Sequence, residues 1–123
     1  MNTLPQWWQN GVIYQIYPKS FQDTTGRGTG DLRGVTQRLD YLKTLGIDAI
    51  WLTPFYISPQ IDNGYDVANY IAIDPAYGTL DDFDELVAQA HARGIRIVLD
   101  MVFNHTSTQH AWFRESLKKE SPY

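Results

Sequence analysis

Three side chains able to offer carboxylate, amide and imidazole chemistry close one apolar run. Asp100, Asn104 and His105 end the stretch Ile95-Arg-Ile-Val-Leu-Asp100-Met-Val-Phe-Asn104-His105. The interior of a buried strand offers such groups no partners, so the spacing places them at the strand's mouth. Ligand sites of parallel α/β folds lie at the carboxyl ends of strands. A second cluster, Asp62-Asn63-Gly64-Tyr65-Asp66, flanks a strong turn dipeptide with two carboxylates and an aromatic ring. That mixture suits a polyol, with acceptors for its hydroxyls and a ring for its C–H face. Taken singly, each group has an ordinary reading as a turn cap or a surface residue. Their conjunction points to a small polyhydroxylated ligand.

Other patterns are weaker. Gly26, Gly28 and Gly30 fail the G-x-G-x-x-G spacing, and no G-x-x-x-x-G-K-[ST] occurs, so a nucleotide cradle is not expected. Asp23, Thr25 and Arg27 alternate as in a calcium loop, with Asp31 beyond. Arg27 brings a fixed positive charge to a ligand place, so no metal is expected; its guanidinium could stand in for the ion by pairing with Asp23 or Asp31. His91 and His110 lack neighbouring ligands and are expected at the surface.

The elements that must position these groups alternate in type. Val12 to Tyr17 is an apolar, β-branched and aromatic run stopped by Pro18, a first strand. Asp31 is an N-cap for a helix with apolar positions Leu32, Val35, Leu39, Leu42 and Leu45, stopped by Gly46. Ile47 to Thr53 reads as a second strand ended by Pro54, and Phe55 to Gly78 as a long irregular loop. Thr79 caps the next helix, whose first turns carry Asp81, Asp82, Asp84 and Glu85 where the positive end of the dipole favours them. Its inner face is expected to comprise Leu80, Phe83, Leu86, Val87 and Ala90; Gly94 ends it and the third strand follows. Trp112, Phe113 and Leu117 suggest a further short helix.

Strand–helix alternation predicts parallel strands with right-handed crossovers. The fold class expected is α/β: the first two and a half βα units of a (β/α)8 TIM barrel, truncated, the long second loop favouring a barrel over a minimal open sheet. Residues 1–123 would then be the N-terminal portion of a single catalytic barrel domain, with strand edges and helix faces uncovered.

A net charge of −4 gives no basic footprint for nucleic acid and no polybasic membrane patch. No apolar run reaches transmembrane length. Met1 to Gln9 lacks Lys, Arg and an apolar core, so no signal peptide is expected. The absence of Cys excludes disulfides and thiolate metal sites and suggests a reducing, cytoplasmic setting. Four Trp, eight Tyr and five Phe suit both a packed core and a sugar-stacking surface.

Taken together, Gly46-Ile-Asp-Ala-Ile-Trp-Leu-Thr-Pro54, Asn63-Gly-Tyr-Asp66 and Asp100-Met-Val-Phe-Asn104-His105 resemble, in order, the second-strand block, the sugar-stacking loop and the third-strand signature of the α-amylase family of retaining glucosidases. The likeness runs from Trp7-Trp8 to Trp112-Phe113 and lies nearest the exo-acting intracellular branch that includes oligo-1,6-glucosidase. Pro18-Lys-Ser-Phe21 and Gln22-Asp-Thr-Thr-Gly26 look most like members acting on trehalose 6-phosphate.

The resemblance implies that Tyr65 stacks under the glucosyl ring and that Asp62 and His105 hydrogen-bond its outer hydroxyls. It implies that Asp100 holds neighbouring side chains and that Asn104 braces the loop. The family's first-loop metal site maps to Asp23, Thr25, Arg27, Thr29 and Asp31 and is degenerate at Thr25 and Arg27. No cofactor is implied. The nucleophile and the acid/base would lie beyond Tyr123, leaving this chain alone inactive and the complete protein a monomer. A self-standing carbohydrate-binding module is the alternative of another class.

Overall fold

A computed structural model describes residues 3–123. The order of elements is α1 (Trp7–Asn10), β1 (Ile13–Ile16), α2 (Pro18–Phe21), α3 (Leu32–Gln37), α4 (Leu39–Leu45) and β2 (Ala49–Leu52). After these come β3 (Tyr56–Ile57), β4 (Asn69–Ile73), α5 (Leu80–Ala92), β5 (Arg96–Leu99) and α6 (Ala111–Ser116). Strands β1, β2 and β5 form a parallel sheet in the order β1-β2-β5. The register sets Gln15 beside Trp51 and Trp51 beside Val98.

Alternation along these strands divides the sheet's two faces. Ile16, Ile50, Leu52, Tyr14 and Ile97 join one core with the helices, meeting Leu32, Val35, Leu39, Leu42, Leu86 and Ala90. The helical side chains of that group are fully buried. The opposite face carries Gln15, Trp51 and Val98 toward the site. At its other end, the Arg96 guanidinium lies 4.5 Å above the Trp7 ring of α1, a cation–π contact.

The caps hold where the sequence places them. Asp31 Oδ1 accepts from Gly34 N at 2.7 Å, and Thr79 forms a reciprocal capping box with Asp82. Ion pairs Arg33–Asp82 and Arg93–Asp40, at 2.6 and 2.7 Å, tie α5 to α3 and α4 from the outside. Each pairs an exposed side chain with a more sheltered one, so solvent screens the attraction.

Several expectations need correction. The single helix from Leu32 to Leu45 is two, because Arg38 turns to φ −100°, ψ 5° and shares its N–H between the carbonyls of Val35 and Thr36. The buried stripe survives this tightening, but Leu45 lies 53% exposed in the last turn, beyond the core's edge. Leu80 is 65% exposed for the matching reason, standing in the first turn of α5 where the helix overhangs the sheet.

The segment from Phe55 to Gly78 is not irregular throughout: β3 and β4 pair antiparallel within it, with a bulge between Tyr56 and Ile57. His110 is buried, not superficial. Its Nδ1 accepts from Trp112 N at 3.0 Å to cap α6, and its ring packs 4.5 Å from that of Trp112.

Gly34 shows how tightly the first loop is laid on α3. A Cβ there would sit 1.9 Å from the carbonyl oxygen of Gln22 and 2.7 Å from its carbon, both backbone atoms that cannot step aside. Gly34→Ala is therefore expected to destabilise the protein by about 1–3 kcal/mol or more. The readout is the thermal midpoint of the complete protein, and a midpoint equal to wild type would contradict this close approach.

Candidate functional site at the carboxyl ends of the strands

Asp100 is the first residue past β5, and its carboxylate is the hub of the site. Its Oδ2 accepts from Trp51 Nε1 at 3.1 Å and from the Tyr65 hydroxyl at 2.9 Å. Two donors on one half-buried oxygen join the end of β5, the middle strand and the Asn63-Gly64 turn. The hydrogen bond and charge of Asp100 act on Tyr65 together with burial. Burial is the largest cause, and the phenol is pushed up to about 12. It therefore stays a neutral donor through the ordinary pH range.

The turn itself is built from Asp62 to Tyr65, whose N–H donates to the Asp62 carbonyl at 2.9 Å. Asn63 and Gly64 both take left-handed backbone, φ 52° and 96°, the pairing that the Asn-Gly dipeptide favours. Asp62 is exposed at this tip, and among the described residues its carboxylate accepts no protein hydrogen bond. Its charge lies close enough to add to the shift of Tyr65.

His105 closes the arrangement from the other side. Its Nε2 lies 3.0 Å from the Tyr65 carbonyl, so Nε2 carries the proton and Nδ1 is left toward Asn104 Nδ2 at 3.4 Å. That last contact is long, and both side chains are exposed. The structure thus brings Tyr65, Asp100 and His105 together, sets Asp62 beside them, and leaves Asn104 touching only the His105 ring.

What holds the post-strand segment in place is the β3–β4 hairpin. The Tyr56 hydroxyl donates to the Asp100 carbonyl at 3.0 Å. The Tyr70 hydroxyl stands 2.8 Å from the Val102 carbonyl and 2.6 Å from that of His105, and Ser107 N donates to Val67 O at 2.8 Å. Burial raises the Tyr56 and Tyr70 phenols above their ordinary range, with the Asp100 charge adding at Tyr56. Sequence reasoning missed Trp51, Tyr56 and Tyr70 as site-forming residues. The available signal was chemical: aromatic rings with a polar tip near strand ends need a buried acceptor.

A cleft of about 340 Å³ opens here, lined by Gln15, Tyr17, Thr53, Asn63 and Tyr65. It presents an amide, phenols and a hydroxyl with an exposed carboxylate beside them, a donor–acceptor set suited to a neutral polyol.

The first loop turns its carboxylates inward on its own backbone. Asp23 accepts from the N–H groups of Thr25, Gly26 and Gly28 at 2.7, 3.0 and 2.7 Å, which hold its carboxyl below the usual range. Asp31 Oδ2 accepts from Thr24 N and Oγ1 at 2.9 and 2.8 Å. The ion pair considered for Arg27 with either carboxylate is not made, since loop donors already occupy both. No cluster of three His, Asp or Glu side chains able to hold a metal occurs among the described residues, and no helix among them is long and apolar enough to cross a membrane.

Parallel strands with crossover helices, and a cleft with polyol-suited groups at the strands' carboxyl ends, fit the opening units of a (β/α)8 barrel. The chain belongs to the α-amylase family: residues 15–123 match the model of the alpha amylase catalytic domain. It is 85% identical over 123 residues to trehalose-6-phosphate hydrolase of Escherichia coli K12, covering all of this chain and 22% of that protein. It is 60% identical over 121 residues to oligo-1,6-glucosidase of Heyndrickxia coagulans, covering 98% of this chain and 22% of that protein. The crystal structure of Bacillus licheniformis trehalose-6-phosphate hydrolase superposes with a TM-score of 0.89 at 58% identity, over 91% of this chain and 20% of that one. The chain thus spans about a fifth of the length of these relatives and corresponds to the N-terminal part of their TIM barrel.

The raised Tyr65 phenol carries a stability prediction with a definite sign. A phenol titrating near 10 when unfolded and about 12 when folded stabilises the fold fully below pH 10, and that contribution is lost as pH rises toward 12. Tyr65→Phe in the complete protein should remove one late-titrating phenolate from the ultraviolet titration and flatten the fall of stability across that alkaline window. If the phenolate lost in the variant is instead one that titrates near 10, Tyr65 is not tied to Asp100.

Proposed function

We propose that the complete protein is a retaining α-glucosidase of trehalose breakdown, hydrolysing trehalose 6-phosphate to glucose and glucose 6-phosphate. The observation that carries this reading is the 85% identity, unbroken over all 123 residues, to a trehalose-6-phosphate hydrolase. Oligo-1,6-glucosidase, matched at 60%, is the alternative for specificity. Residues 1–123 are, in this reading, the N-terminal portion of one catalytic barrel domain in a monomeric, cytoplasmic enzyme that needs no cofactor.

The chain's own residues would bind rather than break the bond. Tyr65, anchored through its hydroxyl by Asp100, would turn a ring face to the glucosyl unit. Asp62, free of protein donors, would accept from sugar hydroxyls. A sugar hydroxyl would take over the Nε2–H of His105 that the Tyr65 carbonyl now accepts, and Asn104 would brace that ring. These bonds would strengthen as the ring flattens toward an oxocarbenium ion, so they would serve the transition state more than the ground state. Retaining hydrolysis requires two carboxyl groups about 5 Å apart across the bond. In our reading both come from later strands, and this chain alone is inactive.

The test is turnover by the complete protein on trehalose 6-phosphate against isomaltose. Higher kcat/KM on trehalose 6-phosphate is expected, whereas preference for isomaltose would move the assignment to the glucosidase branch. Asp62→Ala and His105→Ala should each lower kcat/KM about a hundredfold or more, in line with the loss of one oriented transition-state contact. Variants with wild-type kinetics would remove these side chains from the pocket.

A further inference from the structure

The turn that carries Asp62 and Tyr65 is not self-supporting. Gln60, Asn63 and Gly64 all adopt positive φ, 61°, 52° and 96°, and a glutamine has no intrinsic preference for that region. What holds the turn is a carboxylate behind it. Asp66 Oδ1 accepts from the Ser58 hydroxyl at 2.9 Å and from Asp62 N at 3.1 Å, and Oδ2 accepts from Ile61 N at 3.0 Å. Ser58 Oγ in turn accepts from Gln60 N at 3.0 Å. Among the described residues, the Asp66 side chain accepts hydrogen bonds from other residues only within the segment 58–62.

Burial would push the Asp66 carboxyl up, but these N–H and O–H donors outweigh it and leave the group below the ordinary carboxylate range. Asp66 stays ionised, and only the ionised form accepts all three bonds at once. The two oxygens grip consecutive backbone N–H groups, the second belonging to Asp62 itself. Three residues further on, Tyr65 must reach Asp100 with its hydroxyl and His105 with its carbonyl. A shift of the turn would disturb both reaches together.

We propose that Asp66 is a positioning residue of the glucosyl pocket: without touching the sugar, it sets Asp62 and Tyr65 by gripping the N–H groups of Ile61 and Asp62 and the hydroxyl of Ser58. This inference rests on the pocket assignment proposed above. Asp66→Asn preserves shape but forces an NH₂ group against a backbone N–H or a hydroxyl donor. In the complete protein it should lower kcat/KM by on the order of a hundredfold, the scale of a misplaced contact.

Ser58→Ala, which removes one of the three donors and leaves both backbone grips, should cost less. Combining Asp66→Asn with Asp62→Ala and Tyr65→Ala separates positioning from mere bracing. If Asp66 acts through those two side chains, its effect shrinks to near unity once they are gone. An equal fold-loss in both backgrounds, or a loss of thermal midpoint with unchanged kinetics at low temperature, would overturn the proposal.

Glucose affinity, read from tryptophan fluorescence, repeats the same cycle without any turnover. If wild type binds glucose but hydrolyses neither glucoside, the functional reading fails while the affinity cycle still decides for or against Asp66. If wild type binds no glucose, the Asp66 proposal falls with the pocket.

Discussion

A half-buried carboxylate at the end of a strand, set among aromatic rings, needs donors, because burial without them is costly. Asp100 meets this demand by taking an indole N–H and a phenol O–H on the same oxygen, from two different segments. The rest of the site follows from that choice. Trp51 can donate because the register β2–β5 sets it beside Val98, two residues before Asp100 and on the same face. Tyr65 can donate because the Asn63-Gly64 turn folds back over the strand ends. Neither donor is local in sequence, so the carboxylate welds the second and third βα units to one another.

The scaffold behind the sheet makes this weld reproducible. Leu32, Val35, Leu39 and Leu42 of α3 and α4, with Leu86 and Ala90 of α5, bury Ile16, Ile50 and Leu52 of one sheet face, while Tyr14 and Ile97 pack at its margin. Close-packed side chains of this kind resist slippage, and a parallel strand that slipped by one residue would turn Trp51 and Asp100 to opposite faces. Arg96 over Trp7 marks the same inner face at its far end. The hairpin supplies what the helices cannot. Its two tyrosines hold the backbone of residues 100–105 by their hydroxyls, so that the side chains of Asp100 and His105 can both turn to Tyr65.

Much of this was legible before any coordinates. Periodicity marked the helices, β-branched runs marked the strands, and Asp31 and Thr79 are caps as their types suggest. The mouth of the third strand was marked by Asp100, Asn104 and His105, and the turn by Asn63-Gly64. What was hidden has physical causes. Strand β3 is two residues long and β4 bears a fully exposed Ile71, so the alternation that reveals a half-buried strand is absent there. His110 looked superficial because its partners, Tyr70 and Trp112, are gathered by the hairpin and by the first turn of α6, not by spacing around the histidine. The Asp66 clamp reaches back four, five and eight residues within an irregular turn, and no periodic rule describes such contacts.

The arrangement separates rigidity from recognition, and that separation bears on how one scaffold can serve several α-glucosides. Asp66 accepts three protein hydrogen bonds over both oxygens and Asp100 accepts two on Oδ2, so both carboxylates are suited to hold neighbouring side chains and backbone. Among the described residues the Asp62 carboxylate accepts no protein hydrogen bond, and Tyr65 lines the cleft. In the reading proposed above, these groups would meet only the glucosyl unit, which trehalose 6-phosphate and isomaltose share. Discrimination between the two sugars would then depend on contacts to the leaving portion, made by elements other than this turn and strand mouth. This agrees with a chain 85% identical to a trehalose-6-phosphate hydrolase and still 60% identical to an oligo-1,6-glucosidase over nearly the same residues. Under that reading the groups meeting the common sugar would vary little, because Asp62 and Tyr65 are each held by a carboxylate partner, Asp66 and Asp100.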